Sequence, residues 1–347
     1  VTILVLEASV PFVEGGAELH VRSLVAQLSA RGHDVERVAI PFKWYPKREI
    51  LAHAAAWRLV DLSESNGRRI DRVIATKFPT YFARHPHKVT WLIHQHRAAY
   101  ELCGTEYSDF DHVEGDVALR AELLRLDTEM LGECERIFTN ARNTADRLRR
   151  FNGVEAKALY HPPQLADRLR SGPHGDYVLA VGRLETVKRA HLAIEAMAHA
   201  DRGVRLVVVG DGTQRANTEA LVERLGLGDR VRLAGAVSNE DLLSLYEGAL
   251  AVVYPPFDED FGYVTLESFL ARRPVITTSD AGGPLEFVED GVNGAVTAPA
   301  PEAIAAAMNR YAADRRLAAD HGAAGHARAS LVTWDGVVEA LVGDGRA

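Results

Sequence analysis

The sequence predicts an α/β protein of two successive domains, each built on a parallel sheet. Three observations predict it. Short apolar runs rich in β-branched residues alternate with amphipathic helical stretches from one end of the chain to the other. A polar segment containing Ser171, Gly172, Pro173 and Gly175 divides that alternation in two. The length, 347 residues, suits two domains better than one. Alternating strand and helix implies parallel strands joined by crossovers.

In the first half, residues 1–6 (V-T-I-L-V-L) read as a buried strand, residues 11–16 (P-F-V-E-G-G) as a turn, and residues 17–30 as an amphipathic helix stopped by Gly32. A strand over 35–40 follows, which gives the β-turn-α-β order of a Rossmann-type sheet. The first turn is not G-x-G-x-x-G, so the dinucleotide fingerprint is absent. Gly15 and Gly16 instead permit close backbone approach at a helix start, or serve the turn alone. Further strands are expected over 72–75, 89–93, 136–139 and 156–160, with helices over 118–134 and 144–151. Arg147, Arg149 and Arg150 on the last of these suit anionic lipid headgroups; a solvated helix face is the ordinary reading.

The second half repeats the pattern. Strands are expected over 177–181, 204–209, 230–233, 250–254 and 274–277, and helices over 187–200, 214–225, 240–247 and 263–271. The tail from Pro301 reads as helical, and residues 334–342 as a final amphipathic helix.

Composition narrows the function. Apolar residues are 47% and charged residues 25%, which fits a soluble globular protein. The net charge of −8 argues against nucleic acid as the main partner. Two cysteines, Cys103 and Cys134, make neither a disulfide framework nor a zinc site, and point to a reducing cytosol. No apolar run approaches the roughly 20 residues that span a bilayer. The chain opens directly on a strand pattern, so no leader is expected. The expected location is the cytoplasm, with contact to the inner membrane face left open.

The residues that carry chemistry cluster at expected strand ends, where open parallel sheets bind ligands. Residues 254–268 read Y-P-P-F-D-E-D-F-G-Y-V-T-L-E-S. Pro255 and Pro256 end a strand, and Gly262 opens a helix whose free N–H groups and dipole favour an anion. Glu259 and Glu267 bracket that helix start. Arg183 and Lys188 follow the strand over 177–181, Gly210, Asp211 and Gly212 follow the next, and residues 281–286 (A-G-G-P-L-E) follow the last. Glycines admit backbone to a ligand, and the two cations suit a diphosphate.

These motifs together resemble the retaining GT-B glycosyltransferases of family 4. Residues 259–267 (E-D-F-G-Y-V-T-L-E) match the E-x7-E motif. G-R-L-x-x-x-K over 182–188, V-V-G-D-G over 208–212 and the G-G-P-L-E-F-V-E-D-G-V-N-G run over 282–294 match its companions. In the first half, G-G-A-E over 15–18 and W-L-I-H-Q-H over 91–96 also match. Ala141, Gln164, Leu165 and Tyr263 depart from the family pattern.

The resemblance implies a GT-B fold. It implies an N-terminal acceptor domain over 1–163 with a crossover helix over 330–347, and a donor domain over 164–329. It implies transfer of a hexose from a nucleotide-diphosphate sugar to a hydroxyl of a sugar, lipid-linked sugar or small molecule. Arg183 and Lys188 would neutralise the diphosphate and stabilise the leaving group. Backbone around Phe261, Gly262, Tyr263 and Val264 would bind the phosphates, with Gly182, Gly210, Asp211 and Gly212 nearby. Glu267 would take the ribose hydroxyls, Glu259 the donor sugar, and backbone at Val237 the base. Gly15 and Gly16 would lie under the phosphate or sugar, and His94 near the reacting carbon. The donor phosphate can itself deprotonate the acceptor, so Glu259 is assigned to positioning rather than to the nucleophilic role of glycosidase carboxylates. No metal and no cofactor are expected, the nucleotide sugar being a substrate. Asp109-Phe110-Asp111 is read as a loop acidic pair, and His96 as pocket lining or core. A non-catalytic module binding nucleotide sugar or polysaccharide is the competing reading. The donor base, the hexose, the acceptor and the oligomeric state are not legible.

Overall fold

The computed structural model describes residues 1–12 and 15–343. The chain forms two compact units: Val1–His161 with Thr333–Ala347, and Pro162–Val332. Two of the six residues expected to form the first turn, Val13 and Glu14, lie outside the described residues.

In the first unit, strands β1 (Thr2–Ser9), β2 (Asp34–Pro41), β3 (Arg72–Ala75), β4 (Lys88–Leu92), β5 (Arg136–Thr139) and β6 (Lys157–Ala158) form one sheet in the order β2-β1-β3-β4-β5-β6. Every pairing is parallel. Side chains alternate between faces along a strand, so Leu4 and Leu6 enter one core cluster while Ile3 and Val5 enter another. Both faces are covered at the centre of the sheet, which is why β1 reads as an unbroken apolar run, whereas the edge strand β2 is partly exposed. Helices α1 (Gly16–Ala30), α2 (Glu49–Leu59), α3 (Glu114–Gly132) and α4 (Arg142–Asn152) cover them. The sequence reading omitted α2, whose apolar residues include a run of alanines with little one-sided periodicity. It nevertheless buries Ile50, Ala54 and Trp57.

In the second unit, β7 (Tyr177–Val181), β8 (Arg205–Val209), β9 (Val231–Gly235), β10 (Ala251–Val253), β11 (Val275–Thr278) and β12 (Gly294–Thr297) form a parallel sheet in the order β9-β8-β7-β10-β11-β12. Here Val178 and Ala180 face one core and Leu179 the other. The strand order reverses between β7 and β10. These two pair only through Ala251–Val178 and Val252–Leu179, so their carboxyl ends part and leave a crevice. Helices α5 (Ala190–His199), α6 (Arg215–Arg224), α7 (Asn239–Gly248), α8 (Tyr263–Leu270), α9 (Pro301–Ala313) and α10 (Arg315–Ala329) complete the unit.

Three sequence expectations are corrected. The Gly- and Pro-containing segment before Asp176 is not a free linker, because Arg273 donates to Gly172 O and Arg315 to His174 O. The chain passes between units earlier, after His161. The helix expected over 187–200 starts only at Ala190, because Arg189 adopts the left-handed conformation at φ 52°. The basic run on α4 is not one surface: Arg147 is buried against Glu101, while Arg149 pairs with Asp146 at the surface.

The last described element is α11 (Asp335–Val342), whose Val337, Val338 and Leu341 pack into the first unit beside Ile3, Val5 and Val21. Arg72 and Arg136 cap it by donating to Leu341 O and Ala340 O, both at 2.9 Å. Cations at a helix C-terminus satisfy carbonyls that lack intrahelical partners.

Candidate functional site

The crevice between β7 and β10 collects three of the site residues expected from the sequence, Gly182, Arg183 and Lys188. Gly182, Arg183, Lys188, Val209, Tyr254 and Pro255 line a recess there. The loops that follow β7, β8 and β9 are laced by backbone hydrogen bonds, Gly182 N to Val209 O at 3.0 Å and Gly210 N to Gly235 O at 2.8 Å. Gly210 has φ +134°, and a Cβ on it would lie 1.9 Å from Gly182 O. Only glycine lets the two loops approach so closely.

Gly262 precedes α8 at φ +81°. This left-handed turn lets the chain leave the loop and enter the helix at once, so the first N–H groups of α8, which have no intrahelical acceptor, stand at its start. Phe261 is buried and meets Tyr263 and Phe287 edge-on at 5.2 Å and 5.7 Å. The tyrosine that departs from the family pattern thus packs on that ring. Val264 is buried in the core behind.

The two glutamates are held differently. Glu259 forms an ion pair with Lys188, the side chains being 11% and 19% exposed. Its backbone bridges residues 281–283, with Glu259 N to Ala281 O at 2.8 Å and Gly283 N to Glu259 O at 2.7 Å. Tyr254 beside it has its phenol pushed well up, by burial first and then by Glu259. Glu267 lies on the first turns of α8 and accepts from Tyr246 Oη at 2.7 Å. Burial pushes the Glu267 carboxyl above its ordinary range, against the opposing pull of the tyrosine hydroxyl.

Arg183 is exposed and makes no side-chain hydrogen bond or ion pair among the described residues. Asp211 is committed locally: it accepts from Gly212 N at 2.8 Å and pairs with Arg215 at 3.0 Å. Those bonds, Gly212 first, lower its carboxyl pKa. Val237 lies between β9 and α7, and Ser238 caps α7 by accepting from Asp241 N.

Gly15, Gly16 and His94 belong to the other unit. Gly15 caps α1 and its N–H donates to Glu18 at 3.0 Å; the other oxygen of Glu18 pairs with Lys77 at 2.9 Å. His94 follows β4, and its Nδ1 lies 2.7 Å from Gln95 O. A carbonyl only accepts, so Nδ1 carries the proton. His96 packs against the rings of Phe42, Phe78 and Phe110. Burial, with His94 adding to it, pushes its imidazole down to about 4, the state of a core histidine. Phe110 is buried between the exposed Asp109 and Asp111. No cluster of three or more His, Cys, Asp or Glu suited to a metal occurs among the described residues.

Sequence reasoning missed three participants. Tyr246 reads as an inward aromatic of α7, and only the fold brings its hydroxyl to Glu267. Arg189 and Asp280 form a bidentate pair behind the crevice. Arg189 adjoins the lysine of a motif, but nothing in its neighbours announces that it turns inward.

The family model described as glycosyl transferases group 1 matches residues 166–328. The D-inositol 3-phosphate glycosyltransferase of Streptomyces griseus subsp. griseus is 31% identical over 263 residues, covering 64% of this chain and 56% of the relative. The chain thus spans about half the length of that relative. Sucrose-phosphate synthase from Thermosynechococcus elongatus superposes with a TM-score of 0.77 at 20% identity, over 98% of this chain and 97% of that one. Anabaena Alr3699/HepE in complex with UDP-glucose gives 0.70 at 20% identity, over 97% and 98%. At such identity these structures speak for the fold alone, which is that of the GT-B glycosyltransferases.

Proposed function

We propose, from the match of residues 166–328 to the group 1 glycosyl transferase model, that the protein is a retaining, metal-independent hexosyltransferase of family 4. It takes a nucleotide-diphosphate sugar as donor and a hydroxyl of a sugar, lipid-linked sugar or small molecule as acceptor. The observation that carries the reading is the recess lined by Arg183 and Lys188, with Lys188 paired to Glu259 on the loop that leads through Gly262 into α8. Fixed cations and helix N–H groups there match a diphosphate, where charge grows as the sugar–phosphate bond breaks.

In this reading Arg183, Lys188 and the N–H groups of residues 262–264 hold the diphosphate, with Gly182, Gly210, Asp211 and Gly212 as backbone neighbours. Glu267, oriented by Tyr246, takes the ribose, and backbone at Val237 the base. Glu259 takes sugar hydroxyls. The bond from the anomeric carbon to the phosphate oxygen breaks and that to the acceptor oxygen forms on the same face. The acceptor proton goes to the departing phosphate, so no cofactor and no protein nucleophile are needed. Among the described residues no helix is long and apolar enough to cross a membrane. The two free cysteines, Cys103 and Cys134, favour a reducing cytoplasm; a peripheral membrane contact would involve Arg149 and Arg150 of α4 rather than Arg147.

The test is turnover of UDP-, GDP-, ADP- and dTDP-sugars with a panel of acceptors, followed by NMR of the product anomer. A retained configuration is expected, and an inverted product rejects the mechanism. Binding of a nucleotide sugar with neither transfer nor hydrolysis rejects the enzyme in favour of a binding module.

A further inference from the structure

Pro255 and Pro256 have no N–H to offer a ladder, so β10 ends there; Tyr254 N makes the last bond, to Ile276 O at 2.8 Å. The carbonyls of the two prolines face inward, and buried carbonyls need donors. Arg189 serves both, Nε to Pro255 O at 2.8 Å and Nη2 to Pro256 O at 2.7 Å. The same guanidinium grips Asp280, with Nη1 to Oδ2 at 2.8 Å and Nη2 to Oδ1 at 2.6 Å, and donates to Thr278 Oγ1 at 2.9 Å. Its side chain is 6% exposed.

The backbone is arranged to allow this. A non-glycine residue at φ 52° is strained, and such a conformation persists only where its surroundings over-determine it. Here it sends consecutive side chains apart: Lys188 goes to Glu259, and Arg189 goes to the root of the loop that carries Glu259. Phe257 N to Val187 O at 2.8 Å, Asp258 N to Asp280 O at 2.9 Å and Glu259 N to Ala281 O at 2.8 Å complete the lacing. An apolar filler would pack the space, but it would leave both proline carbonyls without donors.

We propose that Arg189, held by Asp280, is a positioning residue that fixes residues 255–259 so that Glu259 and Lys188 meet the donor sugar and its diphosphate together. The inference rests on the glycosyltransferase reading above. Arginine's rigid fork can serve two carbonyls and a carboxylate at once, whereas lysine presents a single point charge.

The test compares wild type, Glu259→Ala, Arg189→Lys and Asp280→Asn by steady-state kinetics, nucleoside diphosphate titration and thermal unfolding. For Arg189→Lys we expect kcat to fall at least about tenfold, with donor KM and nucleoside diphosphate Kd within about threefold of wild type. Asp280→Asn keeps the shape and the carbonyl contacts, so kcat is expected to fall about threefold with Kd unchanged. Wild-type kcat in both variants, or a Kd that rises in step with the loss of kcat, overturns the positioning role. If Arg189→Lys fails to fold, Asp280→Asn decides by the same criterion. Loss of turnover in Glu259→Ala beside full turnover in the other two overturns this inference alone. A wild type that turns over no donor overturns the parent reading and this one with it.

Discussion

Glu259→Gln separates binding from chemistry at this site. In the free protein Glu259 is paired with Lys188, and both side chains are mostly enclosed. A hydrogen bond between charged groups is worth about 1.5–3 kcal/mol, and glutamine keeps its shape but not its charge. Stability is therefore expected to fall by about 1–2 kcal/mol. The lysine, no longer neutralised, is left to the diphosphate. A gain of about 1 kcal/mol there makes nucleoside diphosphate bind about fivefold tighter. Turnover moves the other way: losing a charged hydrogen bond to the sugar, about 3 kcal/mol, costs about 10²-fold in kcat. Calorimetric titration of nucleoside diphosphate and initial-rate measurement on one preparation read both quantities. Wild-type kcat, or nucleoside diphosphate binding weakened tenfold, refutes the division of labour between Glu259 and Lys188.

Arg183→Ala removes an exposed guanidinium with no partner among the described residues. Unfolding free energy should stay within about 0.5 kcal/mol while nucleoside diphosphate Kd rises about tenfold or more; unchanged Kd would remove Arg183 from the site. Gly262→Ala places a Cβ 2.9 Å from Pro284 Cγ at φ +81°. It should lower thermal stability by about 1–2 kcal/mol and weaken nucleoside diphosphate binding; an unaffected Kd would argue against phosphate contact at the start of α8. In the first unit, burial raises the Asp127 carboxyl to about 7 despite the hydroxyls of Tyr100 and Tyr81. The folded chain then holds a proton that the unfolded chain releases from about pH 4, so stability is lost as pH rises from about 4 to 7, at up to about 1.4 kcal/mol per unit. Asp127→Asn should raise Tm at pH 8 and leave it little changed at pH 4; equal shifts at both would refute the assignment. His20 is pushed down to about 3, by burial and then by Lys77, and lies 3.1 Å from His161. The unfolded chain takes up the proton first, so stability is lost below about pH 6.5, and His20→Leu should flatten that acid limb in thermal melts.

The fold was legible because both sheets are buried on both faces. Apolar runs such as Tyr177–Val181 and Arg72–Ala75 announce strands whatever their neighbours, and helices α6, α7 and α8 carry ordinary inward periodicity. Elements without that contrast were not legible. Gly294–Thr297 is a strand, yet it lies beside a glycine-rich run that reads as loop, and its pairing with Val275–Thr278 supplies what the local sequence lacks. The early start expected for α5 failed on one dihedral: the apolar pattern runs through residues 187–200, but Arg189 breaks the helix. Motif spacing brought Arg183 and Lys188 to one recess, because both follow the end of β7.

What spacing does not convey is pairing. The sequence offers Lys188 to a phosphate and Glu259 to a sugar, but the structure joins them to each other. The first unit repeats the device at its own strand ends, where Glu18 spans Gly15 N–H and Lys77. A pocket lined by exposed like charges would repel itself when empty, whereas opposite charges in contact keep its walls in place at little cost in water. On the proposed function the ligand exchanges partners on entry: diphosphate takes the ammonium as sugar hydroxyls take the carboxylate. A nucleotide without its sugar satisfies only half of that exchange and leaves Glu259 without a cation. On this argument Lys188→Met should weaken nucleoside diphosphate and its sugar conjugate alike. Glu259→Gln should tighten the first and weaken the second, and paired titrations in which both ligands shift in the same direction for Glu259→Gln would break the link between the two residues.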